Sequence, residues 1–262
     1  MSLALNDTSA HKGIIQGIER AIYGQDGIGR ISDNSTLLKQ WTADINLAWD
    51  DYLHLALKSS GSRQFDDSNH TDFPFIETDL VANQRTYTYT SDENSNLVLD
   101  IFKVMVKSSN GTYFEIEPID QQRRGEGVSI WNDLNTTGTP AEYDKTANGI
   151  ILDVLPDYSW RTANEGEKGL KMFINREANY FTSADTTKMP GCPGIHHEYF
   201  VFKPVLKYAI LNGLSNVNQI RDEVMKYEGD ETRGIIGKIE NHFSRTNKDE
   251  KKIITMKKIN FI

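Results

Sequence analysis

The spacing of apolar residues changes twice along this chain, and that double change narrows the folds open to it. From about Ser35 to Ser59, Leu38, Trp41, Ile45, Ala48, Tyr52 and Leu55 recur in steps of three, four, three, four and three. A seam of this kind is what a helix shows when it packs against other helices. From about residue 73 to Phe181 the period falls to two. Tyr87 and Tyr89 share one face with Thr86, Thr88 and Thr90 opposite, and Phe114 and Ile116 alternate with Glu115 and Glu117. Leu97–Val106 is apolar on nearly both faces, as in a sandwich interior. Ser109-Asn110-Gly111 and Ala147-Asn148-Gly149 have hairpin-turn chemistry, the second leading into Ile150, Leu152 and Val154, and Leu170, Met172 and Ile174 form a further strand.

Helical spacing then returns. Tyr199, Phe202, Leu206, Ala209 and Ile210 predict a helix that Pro204 opens or kinks and Gly213 ends; Ser215 is placed to cap the next, carrying Val217, Ile220, Val224 and Tyr227. Ile235, Ile236, Ile239 and Phe243 predict a last helical stretch. At the start of the chain Ile14, Ile15, Ile18, Ala21 and Ile22 form a stripe that Thr8 or Ser9 could cap and Gly24–Gly29 interrupt. Neither helical segment can bury its seam alone, so the economical arrangement packs the two chain ends together. The expectation is an α+β chain: a helical bundle from residues 1–62 and 183–250, an inserted antiparallel β-sandwich or barrel at 63–182, and an extended arm at 251–262.

Bulk properties set wider bounds. Aromatic residues make up 10% of the chain, too many for disorder along its whole length. No apolar run approaches the roughly 20 residues of a membrane helix. The first ten residues include Asp7 and no Lys or Arg, unlike a secretion signal. The single cysteine, Cys192, allows no internal disulfide, so synthesis in a reducing cytoplasm is expected. The net charge is −8, but from Ser244 onward six basic residues face two acidic ones, a net +4, leaving −12 on the rest. An acidic body is not the electrostatic footprint of a nucleic-acid binder.

Little here points to catalysis. There is no phosphate-binding glycine loop and no nucleophile elbow. His196-His197-Glu198 is the sharpest cluster, but adjacent helical residues point about 100° apart and chelate poorly. It reads as a polar helix start, with no partner assigned to His196 or to Cys192. Asp66, Asp67, Ser68, Asn69, His70, Thr71 and Asp72 are dense in oxygen ligands, yet the glycine and closing glutamate of a calcium loop are missing, and turn formation is the better reading. No catalytic residue, cofactor or metal ligand is expected. The Tyr and Trp side chains could form a sugar-binding platform, although alternating aromatics in strands more often belong to a core.

Several segments, in order, resemble a family of tailed-bacteriophage virion proteins that act as head-to-tail adaptors or connectors. They are Phe65-Asp66-Asp67-Ser68-Asn69-His70-Thr71-Asp72-Phe73-Pro74, then Thr78-Asp79-Leu80-Val81 and Gln84-Arg85-Thr86-Tyr87. Glu117-Pro118-Ile119-Asp120 and Pro140-Ala141-Glu142-Tyr143-Asp144 follow, and Phe181-Thr182-Ser183-Ala184-Asp185 precedes Pro190-Gly191 and Gly194-Ile195-His196-His197. The resemblance spans roughly residues 35 to 245. It implies a helical domain carrying an inserted β domain. It also implies self-association into a ring, most often of twelve subunits, in the virion neck between the portal protein and tail or further adaptor proteins. Genomic DNA would pass through the ring without sequence-specific binding, and no membrane is involved. The alternative is a virion glycan-binding or decoration module. The residues expected to act in assembly are those of the arm: Lys251, Lys252, Ile253, Ile254, Met256, Lys257, Lys258, Ile259, Phe261 and Ile262, too apolar for water and too few for a core of their own.

Overall fold

The computed structural model describes residues 2–60, 75–91, 97–119, 135–162, 166–230 and 234–246. The oxygen-rich run at 66–72 and the arm at 251–262 lie outside the described residues. The protein is a mixed α/β chain that divides into two compact units. One combines Met1–Arg63 with Tyr180–Ile262; the other is Gln64–Asn179. No described helix is long and apolar enough to cross a membrane.

The first unit holds α1 (Ile14–Tyr23), α2 (Ser35–Ser60), α3 (Tyr199–Asn212), α4 (Val217–Glu228) and α5 (Lys238–Thr246). Helix α2 packs on α3 and α5, α1 on α3, and α4 on α3 and α5. The start of α2 is set by Asn34, whose side-chain oxygen accepts from the N–H groups of Thr36 and Leu37 at 3.1 Å each. Its seam buries Leu38, Trp41, Ile45, Ala48 and Tyr52, whereas Leu55 is only half-buried. Trp49, Leu53 and Ala56 are buried as well, so the inward face is wider than a two-position seam.

Helix α1 has no side-chain cap. Thr8 and Ser9 are not its start, because Asp7 turns that stretch by accepting from Ser9 and Ala10. The first N–H groups of α1 are met by the N-terminal segment instead: Ile14 donates to the Ala4 carbonyl at 2.8 Å and Ile15 to that of Leu5 at 3.0 Å. Helix α3 runs through Pro204, which is buried inside it. Gly213 closes α3 in the left-handed conformation, φ 62°, with Leu214 N–H donating to Ala209 and Gly213 N–H to Ile210. Ser215 does not cap α4; Asn216 occupies that position without a side-chain cap bond. Ile235 and Ile236, expected in the last helix, form a short strand, and α5 begins only at Lys238. Two flanking glycines, Gly234 and Gly237, disfavour helix there.

The second unit is a curled seven-stranded sheet in the order β1-β9-β3-β4-β6-β7-β2. Its strands are β1 (Phe75–Thr78), β2 (Thr86–Thr88), β3 (Val98–Lys107), β4 (Tyr113–Pro118), β6 (Glu142–Thr146), β7 (Gly149–Leu152) and β9 (Leu170–Arg176). A separate pair joins β5 (Thr137–Gly138) to β8 (Leu155–Pro156). The expectation of a purely antiparallel domain is corrected: β4 pairs β6 in parallel, as does β5 with β8. The long connection after β4 supplies the crossover that parallel pairing needs. The two predicted turns do sit between β3 and β4 and between β6 and β7. One face buries Val104, Val106, Ile116, Ile150, Met172 and Ile174. On the opposite face Glu77 lies across from Lys171 and pairs with it at 2.7 Å, and Lys103 pairs with Glu115 at 2.7 Å. Leu97 and Leu99, expected inside, are exposed; Leu99 sits where the register slips between Val98 and Asp100.

Candidate functional site

The polar cluster singled out in the sequence is not a solvated helix start. His196 and His197 are both buried, in the turn that leads into α3. His196 does have a partner: its Nδ1 lies 2.8 Å from the Tyr52 hydroxyl on α2, and the His242 ring of α5 stands edge-on at 5.2 Å. His197 is held from two sides. The Leu3 N–H donates to Nδ1 at 2.8 Å, so Nε2 carries the proton and donates to the Cys192 carbonyl at 3.0 Å. Burial lowers the pKa of His197 below the ordinary histidine value.

Around this turn the helices exchange polar bonds. Tyr199 donates to Glu228 at 2.7 Å and Tyr227 to Glu198 at 3.1 Å, tying the start of α3 to the end of α4. Lys203 bridges Glu228 at 2.5 Å and Asp51 at 3.1 Å. Burial pulls the Lys203 ammonium down, but the bonds to Glu228 and Asp51 outweigh it and the pKa rises. Burial, with Glu228 beside it, raises the Tyr199 hydroxyl, which stays a proton donor. The chemistry of this constellation is cohesion. Neutral imidazole and protonated phenols join the N-terminal segment, α2, α3, α4 and α5. The bond from His197 ends on the Cys192 carbonyl, which is not the geometry of a base activating a thiol. Among the described residues no group of three or more His, Cys, Asp and Glu side chains is arranged to hold a metal ion.

Two buried polar residues escaped the sequence reading because they sit inside an apolar stripe. Gln16 accepts from Asp7 N–H at 3.1 Å and donates to Asn6 at 2.6 Å. Glu19 accepts from the N–H groups of Gly29, Ile31 and Ser32 and from the Ser32 hydroxyl, at 2.7–3.2 Å. The Gln16 bonds hold the N-terminal segment to α1, and the Glu19 bonds close the loop between α1 and α2. In the second unit Lys107 is buried over the Trp160 ring at 4.3 Å and pairs with Glu167, which fixes the β3–β4 turn from beneath.

Every described aromatic side chain is buried or half-buried, so no exposed stacking platform for sugars stands among the described residues. Among the described residues of the helical unit the exposed large apolar side chains are Leu47, Ile195, Ile210, Leu211, Ile235 and Ile236. Comparison with protein-family models and with curated proteins finds no match to this chain.

Proposed function

We propose that this protein is a structural subunit of a tailed-phage head-to-tail adaptor ring, joining the portal to the tail and lining part of the DNA channel. In this reading the two chain ends form a helical bundle that carries the β unit as an insertion. The observation that carries it is the packing of α2 against α3 and α5, which lie on the far side of the β segment in sequence. That is the plan implied by the adaptor resemblance. A buried polar network spent on cohesion, with no nucleophile and base in reach of each other among the residues singled out, suits a structural role.

The ring would hold about twelve copies in the virion neck, with the portal protein above and tail or further adaptor proteins below. The arm at 251–262 would dock on an adjacent subunit or on the next ring. Its β-branched isoleucines favour strand pairing, and its lysines would meet a body of net charge −12. Electron microscopy of the purified protein and of virions labelled on this chain tests the proposal. Rings of constant stoichiometry and label at the neck are expected. Label confined to fibres or to the capsid surface would favour the decoration alternative and sink the adaptor reading. Truncation after Lys248 tests the arm: monomer stability should be unchanged while incorporation into particles is lost.

A further inference from the structure

Glu19 is fully buried on α1, and its carboxylate is turned to the loop that joins α1 to α2. One oxygen, Oε1, accepts from Ile31 N–H at 2.7 Å, from Ser32 N–H at 2.7 Å and from the Ser32 hydroxyl at 3.0 Å. The other, Oε2, accepts from Gly29 N–H at 3.2 Å. Three of these donors are main-chain N–H groups, which stay where the backbone puts them whatever group faces them.

The loop keeps its shape with bonds of its own. Arg30 N–H donates to the Gly27 carbonyl at 3.2 Å, Asp33 N–H to Gly29 at 3.1 Å and Asn34 N–H to Ile31 at 3.1 Å. Gly29 has φ 93°, where a side chain would be strained, and a Cβ there would come within 2.8 Å of the Asp33 carboxylate. Ile31 is fully buried, and Asn34 anchors the far end by capping α2. None of these contacts involves Glu19, so the N–H groups are aimed inward before any anion arrives. Away from water such donors bind an anion far more strongly than in bulk solvent.

The space allows one kind of anion. Cutting Glu19 back to alanine removes Cγ, Cδ and both carboxylate oxygens, which together are the carbon and oxygen frame of acetate. A tetrahedral anion would bring further oxygens into a place where Glu19 is already 0% exposed. We propose that the Gly29–Ser32 loop is a carboxylate-binding cradle, shaped for a planar two-oxygen anion, which this chain fills with its own Glu19. Tethered on α1, that carboxylate meets the cradle at an effective concentration that outcompetes free carboxylates, so the native site is closed. Without it the site opens to a small monocarboxylate from solution.

The test uses the full chain carrying Glu19→Ala, with acetate at about pH 7, where it is ionised, as the probe. In about 100 mM sodium acetate the variant should melt about 3 °C higher than in sodium chloride of the same ionic strength, and the gain should saturate. Wild type and Glu19→Gln, whose sites are filled, should show no such difference between the two salts. The amide NMR signals of Gly29, Ile31 and Ser32 in the variant should move along the same saturation curve. Acetamide, of the same shape but neutral, should do neither. If the variant is unfolded in chloride, the readout becomes recovery of its helical circular-dichroism signal by acetate, and no recovery overturns the cradle. So does a gain no larger than that of wild type, or a gain that leaves those three amides unmoved. None of these failures touches the adaptor reading, which rests on the packing of α2 against α3 and α5.

Discussion

The Leu3 backbone N–H and the His197 ring, 194 residues apart, are joined by a 2.8 Å hydrogen bond that fixes which ring nitrogen carries the proton. A second proton on His197 would point at the Leu3 N–H and break this latch. Because burial lowers its pKa below 6.5, His197 is neutral in the folded chain and takes up a proton sooner once unfolded. Its contribution to stability is present in full above about pH 6.5 and is lost as pH falls from there toward the lower folded value. Glutamine offers one acceptor and one donor without titrating. Between pH 7 and pH 5 the melting temperature of the wild type should fall by about 2–4 °C more than that of His197→Gln. Parallel profiles from differential scanning calorimetry would show that the latch does not titrate.

Glu19 should be among the costliest surface-distant residues to remove. Glu19→Ala leaves the N–H groups of Gly29, Ile31 and Ser32 without their acceptor and should cost about 3 kcal/mol in urea unfolding. Glu19→Gln keeps an oxygen for Ile31 and Ser32 and should cost about half as much. Equal losses would mean that the charge, not the hydrogen bonding, holds the loop.

Trp41 is buried on α2 with its ring 5.4 Å from that of Tyr208 on α3. Trp41→Ala should cost about 3–5 kcal/mol through the cavity it leaves. Leu47→Ala, on the exposed side of the same helix, should stay within about 0.5 kcal/mol of wild type. A mild Trp41→Ala phenotype in chemical denaturation would mean that the α2–α3 contact contributes little.

Tyr143 on β6 is fully buried, and its hydroxyl has no hydrogen-bond partner among the described residues. Burial raises its pKa, so the hydroxyl stays un-ionised. Tyr143→Phe should be neutral or stabilising by up to about 1 kcal/mol. Tyr199→Phe, which deletes the bond to Glu228, should instead cost about 1–2 kcal/mol. A destabilised Tyr143→Phe protein would reveal a partner for that hydroxyl.

What could be read from the sequence alone was local. The three-four seam placed α2 from Ser35, Gly213 marked the end of α3, and Asn110-Gly111 and Asn148-Gly149 marked two strand connections. Each of these signals depends on residues within a turn or two of one another, where backbone preference and side-chain spacing act directly. Ile235 and Ile236 misled because an isoleucine pair suits a helix face and a strand equally, and the decision lay with the glycines beside them. Only the tertiary structure could decide which polar residues go inside. His196 is buried because Tyr52 reaches it, His197 because Leu3 and Cys192 do, and Glu19 because a loop ten to thirteen residues on turns its N–H groups inward. The parallel joining of β4 to β6 belongs to the same class. Burial and long-range pairing are set by which distant segments meet, and a local pattern carries no record of that meeting.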